Sequence, residues 1–387
     1  WLKELCIAFA DGINYYLYKH PEVKPKLITH FEPWMPMYFS EGSIGGDIER
    51  VSTQKIKAFY EKDPASLMSD LYDGSIQPND GEPRGSNGFA ISGELTKSGD
   101  AMLLINPHTS FFFRGEAHMV SEEGLNAYGA VTWGQFFIYQ GFNEKTGWMH
   151  TSTGTDVIDQ FIEKVEKTDD GYAYQYGDEL RPVEEIDVTL KYKDGNELKD
   201  REFTMYRTHH GPVTHSVDNQ WVSTALMWDP VKALTQSFTR TKLNNHDEFR
   251  EMMNIRTSSS NNTVFADASG NIAYYHGNFI PKRNVKFDYT KPVDGSNPET
   301  DWNGLHPVDE CITVLNPPNG WIQNCNSTPF SAAAEYSPKK EDYPAYMTSF
   351  PENFRGVHAI RLLKKANDLT LDKLIELAYD PYLPLFE

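Results

Sequence analysis

At 387 residues, with 39% apolar and 24% charged, the chain can bury two or three cores or one large mixed one, and its composition argues against disorder. A net charge of −19 repels phosphate backbones and argues against nucleic-acid binding. No apolar run approaches the roughly 18 residues of a membrane span. Cys6, Cys311 and Cys325 form no CxxC and no metal-ligand spacing, which leaves room for one disulfide at most.

The chain opens without an initiator Met, inside an amphipathic pattern, and ends as abruptly, so it reads as a fragment of a longer protein. Leu2, Leu5, Cys6, Phe9, Ile13 and Leu17 recur at helical spacing and predict a helix over 2–18. A Pro- and aromatic-rich connection follows, then a second helix from about Asp47 to Tyr60 with Ile48, Val51, Ile56 and Phe59 on one face. Residues 61–85 are acidic and rich in Pro and Gly, a linker composition that is long for an ordinary loop. From Ser86 the pattern turns to β. Phe89–Ser92 and Ala101–Ile105 predict a hairpin, nearly all apolar as in strands covered on both faces. Further strands are expected near 129–133, 136–139 and 147–150, with a half-exposed hairpin over 186–206 and a buried one at 263–266 and 272–276. Helices are expected over 245–255 and 369–379. Helices, a linker, then strands with helices between them indicate an α+β architecture with a largely antiparallel sheet.

There is no GxSxG elbow, P-loop, GxGxxG after a strand or HExxH, so chemistry has to be sought in constellations. Gly85-Ser86 is by itself a turn dipeptide, but it stands where the linker ends and the first strand begins. Asn106-Pro107-His108 ends a strand, either as a plain turn or as a polar group at a strand edge. Trp148–Asp159 sets small polar residues before Asp156 and Asp159, either surface carboxylates or hard oxygen ligands. Ser258–Asn262 supplies amide donors or is a polar loop.

Taken together, these segments resemble the penicillin acylase family of N-terminal nucleophile hydrolases, and within it the branch of acyl-homoserine lactone and lipopeptide acylases. The resemblance rests on Phe9-Ala10-Asp11-Gly12-Ile13-Asn14, Gly85-Ser86-Asn87, Arg207-Thr208-His209-His210-Gly211 and Ala266–Ile272 in that order. It continues through Asp301-Trp302-Asn303-Gly304-Leu305 and Asn316–Asn326. It implies an αββα sandwich with largely antiparallel sheets. Residues 1–60 would end an α-chain, 61–85 would be a removable spacer, and 86–387 would begin a β-chain. Cleavage between Gly85 and Ser86 would free Ser86 as the N-terminal nucleophile of an amide hydrolase, with its own α-amino group as base. The resemblance implies oxyanion donors at the Ser152 backbone N–H and the Asn262 side chain. His108 would lie beside the nucleophile, and Arg283 would position the asparagine loop. Met35, Phe39 and Phe111 would wall the acyl pocket. No cofactor is required for the chemistry; a structural Ca2+ on Asp156, Asp159 and Asp47 is an added expectation. The implied partners are a small N-acyl amide substrate and the sister chain of an α/β heterodimer, in the periplasm or secreted. Penicillin or cephalosporin side chains are the alternative substrates, and an unprocessed binding protein is the non-enzymatic alternative.

Overall fold

The apolar runs on either side of Thr96–Asp100 form the expected hairpin. β1 (Gly85–Ile91) and β2 (Met102–His108) run antiparallel, with Gly85 opposite His108 and Asn87 opposite Asn106. They belong to a computed structural model of the chain that describes residues 1–38, 51–61, 85–109, 114–347 and 350–387. Phe39, Asp47, Phe111 and residues 62–84 of the expected spacer lie outside the described residues. In chain order the next strands are β3 (Arg114–Ser121), β4 (Leu125–Thr132), β5 (Gln140–Asn143), β6 (Thr146–Ser152), β7 (Asp159–Glu163), β8 (Val165–Thr168), β9 (Gly171–Tyr176) and β10 (Glu179–Pro182). Then come β11 (Glu184–Asp194), β12 (Glu197–Thr208), β13 (Gly211–Val217), β14 (Gln220–Ala225), β15 (Asn261–Asp267), β16 (Ile272–Tyr275), β17 (Val293–Asp294), β18 (Thr313–Leu315) and β19 (Trp321–Asn324). Helices α1 (Leu2–Lys19) and α2 (Thr53–Glu61) precede β1 in sequence. After β14 come α3 (Pro230–Thr239) and α4 (His246–Met252), and after β19 come α5 (Phe354–Leu363) and α6 (Leu371–Ala378).

Two sheets stack face to face. One has the order β19–β1–β2 and the other β18–β16–β15–β6–β5–β4–β3. The layering follows from the two-residue period of strands. In β1, Ala90 points inward to meet Met149 of β6, Val264 of β15 and Ile322 of β19, while Phe89 and Ile91 point outward onto Ala359, Leu363 and Leu374 of α5 and α6. In β6 and β15, Trp148 and Phe265 point away from β1 and meet Phe249 and Met252 of α4. Helix, sheet, sheet, helix is the αββα order expected, and it explains why these strands read as unbroken apolar runs. Gly88 faces the other sheet closely; an added Cβ would lie 3.0 Å from Met149 Cγ and 3.2 Å from Val264 Cγ2. A further sheet, β11–β12–β13–β14–β7–β17, is antiparallel except at β7–β17.

The expected strand over 136–139 is not formed. Phe137, Ile138 and Tyr139 are buried, but the segment bends, with Tyr139 N–H donating to Ala130 C=O before β5 starts at Gln140. Phe137 and Tyr139 join a cluster with Cys6 of α1 and Leu234 of α3, and Ile138 packs with Trp148 and Phe249, instead of forming a ladder. The second helix is described from Thr53 to Glu61 and docks through Tyr60, whose hydroxyl donates to Val213 C=O at 2.7 Å. The three cysteines are buried and free.

Candidate active site

Ser86 is the second residue of β1, 5% exposed, and in this continuous strand its nitrogen is a peptide nitrogen. That N–H donates to Asn326 Oδ1 at 2.6 Å, and Ser86 Oγ donates to the carbonyl oxygen of Gly85 at 2.6 Å. Arg355, on α5, closes the other side. It donates to Ser86 C=O at 3.1 Å, Asn87 Oδ1 at 2.8 Å and Asn326 Oδ1 at 2.9 Å. Gly85 fits because it lacks a side chain: an added Cβ would lie 3.0 Å from Asn326 Oδ1 and 3.1 Å from Arg355 Nη2.

Asn326 holds a left-handed backbone (φ +57°), a conformation that asparagine tolerates better than most residues. Its Nδ2 donates to Ser152 C=O at 3.0 Å, so one amide joins the Ser86 nitrogen to the loop that begins at Ser152. Its backbone N–H donates to Asn324 Oδ1, which also accepts from Thr151 Oγ1 at 2.6 Å and Asn262 Nδ2 at 3.3 Å. A continuous hydrogen-bonded path therefore runs from Ser86 through Asn326 and Asn324 to Asn262.

Asn262 is fully buried, and both its amide hydrogens are engaged, the second by Thr151 Oγ1 at 3.1 Å. Its oxygen accepts from Tyr274 OH at 2.9 Å and from His276 Nδ1–H at 2.6 Å. His276 Nε2 then accepts from Thr155 Oγ1–H at 3.0 Å. These roles require a neutral ring, and burial drives the His276 pKa down to about 4. An unfolded histidine titrates near 6.5, so between those values the unfolded chain binds the extra proton. The His276 contribution to stability is complete above about pH 6.5 and is lost as pH falls toward 4, by about 2 kcal/mol at pH 5. The melting temperature should therefore drop on acidification from pH 7 to 5, and less steeply in His276→Gln.

His108 lies opposite Gly85 across the hairpin, with Nε2 3.0 Å from Asn106 Oδ1 and 3.5 Å from Asn87 Nδ2. Burial, aided by the Arg355 cation, pulls its pKa down and favours the neutral ring. Ser152 is exposed, and the next residue, Thr153, lines a cleft of about 550 Å³ together with Gly154, Asp156, Tyr289 and Phe350. Met35 borders a different, apolar cavity of about 280 Å³ with Phe9, Ile13, Trp34 and Tyr38.

Arg283 belongs to another group. Its side chain is fully buried and grips Asp159 through Nε at 2.7 Å and Nη2 at 3.0 Å. Trp302 Nε1 donates to the same carboxylate at 2.5 Å, and Asp156 lies 3.8 Å from the guanidinium. Arg283 thus anchors the start of β7, and not Asn262 directly. Asp156 and Asp159 do not fit Ca2+ in this arrangement. Such an ion needs six to eight oxygen ligands, and here a guanidinium already takes both oxygens of Asp159.

Two residues of the Ser86 cluster were not singled out as site residues from sequence. Asn326 closes the Asn316–Asn326 segment, and that repeated asparagine was its signal. Arg355 lies outside every motif and is brought to Ser86 from 269 residues away by α5.

The penicillin amidase family model matches residues 1–387. Penicillin G acylase of Escherichia coli is 26% identical over 297 residues, 73% of this chain and 32% of that protein. The acyl-homoserine lactone acylase QuiP of Pseudomonas fluorescens is 27% identical over 255 residues, 63% of this chain and 30% of that protein. The chain spans about a third of the length of these relatives. A solved thermostable penicillin G acylase from Alcaligenes faecalis superposes with a TM-score of 0.61 at 22% identity, over 76% of this chain and 51% of that one. The fold is shared with that solved acylase. With the family model matched from end to end, the chain belongs to the penicillin amidase family.

Proposed function

We propose that this chain carries the nucleophile of an N-acyl amide hydrolase made as a self-cleaving precursor, and that Ser86 does both the cleavage and the catalysis. The observation that carries the reading is the seat of Ser86. Its hydroxyl rests on the carbonyl of Gly85, while Asn326 and Arg355 hold its nitrogen and its own carbonyl.

In processing, Ser86 Oγ adds to the Gly85 carbonyl carbon and the C–N bond breaks. The hydroxyl proton passes in net to the departing nitrogen. Water then hydrolyses the Gly85 ester, releasing a carboxylate and the free Ser86 amine, and leaves an α-chain and a β-chain as a heterodimer. In turnover that amine takes the proton of Oγ as Oγ attacks the substrate amide. Asn262 and the Ser152 backbone would donate to the oxyanion. Asn262 would do so by exchanging one of its present acceptors, Thr151 Oγ1 or Asn324 Oδ1.

Only the neutral amine can act as base. The Arg355 cation, bound to the same Asn326 oxygen as the Ser86 nitrogen, disfavours the ammonium form. Arg355→Gln should shift the acidic limb of kcat/KM upward by about half a pH unit, reduced from the bare Coulomb value because the side chain is exposed. Arg355→Lys should restore the limb. A pH–rate profile decides, and an unmoved limb in Arg355→Gln removes Arg355 from this role.

The substrate class we infer is an acyl-homoserine lactone or similar lipid amide, which Asn106-Pro107-His108 favours over β-lactam side chains. The test uses processed full-length protein with acyl-homoserine lactones of graded chain length and with penicillin G, products being followed by mass spectrometry. Fatty-acid release from the lactones supports the inference. Phenylacetate release alone supports the β-lactam reading, and cleavage of neither amide rejects both.

A further inference from the structure

We propose that His209, His210 and Asp301 form a binding site for a late first-row divalent metal ion of the Zn2+ type. The two histidines occupy the tight turn between β12 and β13, and Asp301 follows the one-turn helix Pro298–Thr300. Their candidate ligand atoms all lie within 4.8 Å of one another. Asp301 Oδ1 is 2.9 Å from His210 Nε2 and 3.6 Å from His209 Nε2. Tetrahedral Zn2+ with bonds of about 2.0–2.1 Å sets its ligand atoms roughly 3.3 Å apart, and the two observed separations straddle that value.

The second observation is that each ligand is already held by its other heteroatom. His209 Nδ1 meets Tyr174 OH at 2.9 Å. His210 Nδ1 meets Glu163 Oε1 at 2.9 Å, and that oxygen accepts from Thr208 Oγ1 at 2.7 Å. Asp301 Oδ2 accepts from Tyr176 OH at 2.5 Å. A carboxylate or hydroxyl behind each ligand, leaving Nε2, Nε2 and Oδ1 to converge, is the outer-shell order found around metal centres. Ring packing fixes the imidazoles further. His210 stacks on Phe161 at 3.9 Å and 5°, and His209 meets Tyr176 edge-on at 4.6 Å.

Two imidazoles and one carboxylate are a borderline donor set that suits Zn2+ and its neighbours and not Ca2+ or Mg2+. His210 forms a buried floor, while His209 and Asp301 remain about 30% exposed, which gives an ion a way in and leaves a fourth position for water. The site lies next to the Arg283 anchor, since Glu163 ends the strand that Asp159 begins and Trp302 follows Asp301. Its expected effect is to pin that strand.

The test uses full-length protein stripped of metal with EDTA, titrated with Zn2+ by calorimetry and with Co2+ by visible absorption. The proposal expects one Zn2+ per chain that disappears in His209→Ala and in His209→Gln, with the fold checked by circular dichroism. It expects a 10- to 100-fold weaker site in Tyr174→Phe. It also expects Zn2+, but not Ca2+, to raise the melting temperature of wild type above that of the His209 variants. Equal Zn2+ uptake by wild type and both His209 variants, absence of saturable uptake, or the same rise with Ca2+ would each overturn it.

Discussion

Full-length Ser86→Ala should run as one band on a denaturing gel and release no acyl group from any amide. Wild type should give two bands, with a new N-terminus at Ser86. The expectation follows from the atoms involved: alanine removes the hydroxyl that rests on the Gly85 carbonyl, and with it the nucleophile of the proposed exchange of amide for ester. Stability should change little, since Ser86 Oγ makes one hydrogen bond, to its own neighbour, and the backbone N–H to Asn326 survives. The two readouts separate the steps. A chain that still processes as Ser86→Ala has its scission chemistry elsewhere, and a chain that processes as wild type yet hydrolyses no amide keeps the scission and lacks the turnover. Ser86→Cys, which preserves a nucleophile, should process and lose most of its turnover.

Asn262→Ala should lower kcat by about 10²–10³, the equivalent of about 3–4 kcal/mol for one oxyanion donor. It should also destabilise the fold, because Tyr274 OH and His276 Nδ1–H lose a shared acceptor in a buried site. Asn262→Asp separates the two effects. The carboxylate still accepts from Tyr274 and His276 but donates nothing, so it should keep more of the stability while kcat stays low. A kcat within threefold of wild type in processed Asn262→Asp would remove the donor role and leave Asn262 as a structural link between β15 and β19. Thermal melts and single-turnover kinetics on the same preparations give both numbers.

Much of the resemblance turned out to mark turns and anchors. Asn14 holds Phe31 through two hydrogen bonds of 2.8 Å. Asp267 ties the β15–β16 turn by accepting from Ser269 and Asn271, and it also accepts from His246 N–H. Asn316, at φ +45°, caps β16 through Ile272 N–H. Such residues recur because a backbone needs a particular partner or a left-handed turn at that point, and they are legible in sequence for the same reason. Trp302 and Thr208 could be quoted from sequence as motif residues, but their pairing with Asp159 and Glu163 could not. Each of those pairs joins segments far apart in the chain.

The expectation of a boundary at Gly85-Ser86 came from local composition: a Pro- and Gly-rich acidic stretch has the make-up of a linker, and the residues after it are apolar enough for a strand, which they form as β1. Runs apolar at both parities likewise showed strands covered on both faces, whereas the αββα order itself came from the resemblance and was met in the tertiary structure. Whether 136–139 forms a strand was not legible in the sequence: Phe136–Tyr139 is as apolar as one, but burial of Phe137 and Tyr139 against α1 and α3 satisfied it without a ladder. Arg355, and the pairing of Asn326 with the Ser86 nitrogen, were decided only by the tertiary structure. A hydrogen bond between residues 240 positions apart leaves no periodicity in either segment, and α5 holds its guanidinium at β1 through the packing of Phe89 and Ile91 on the helix.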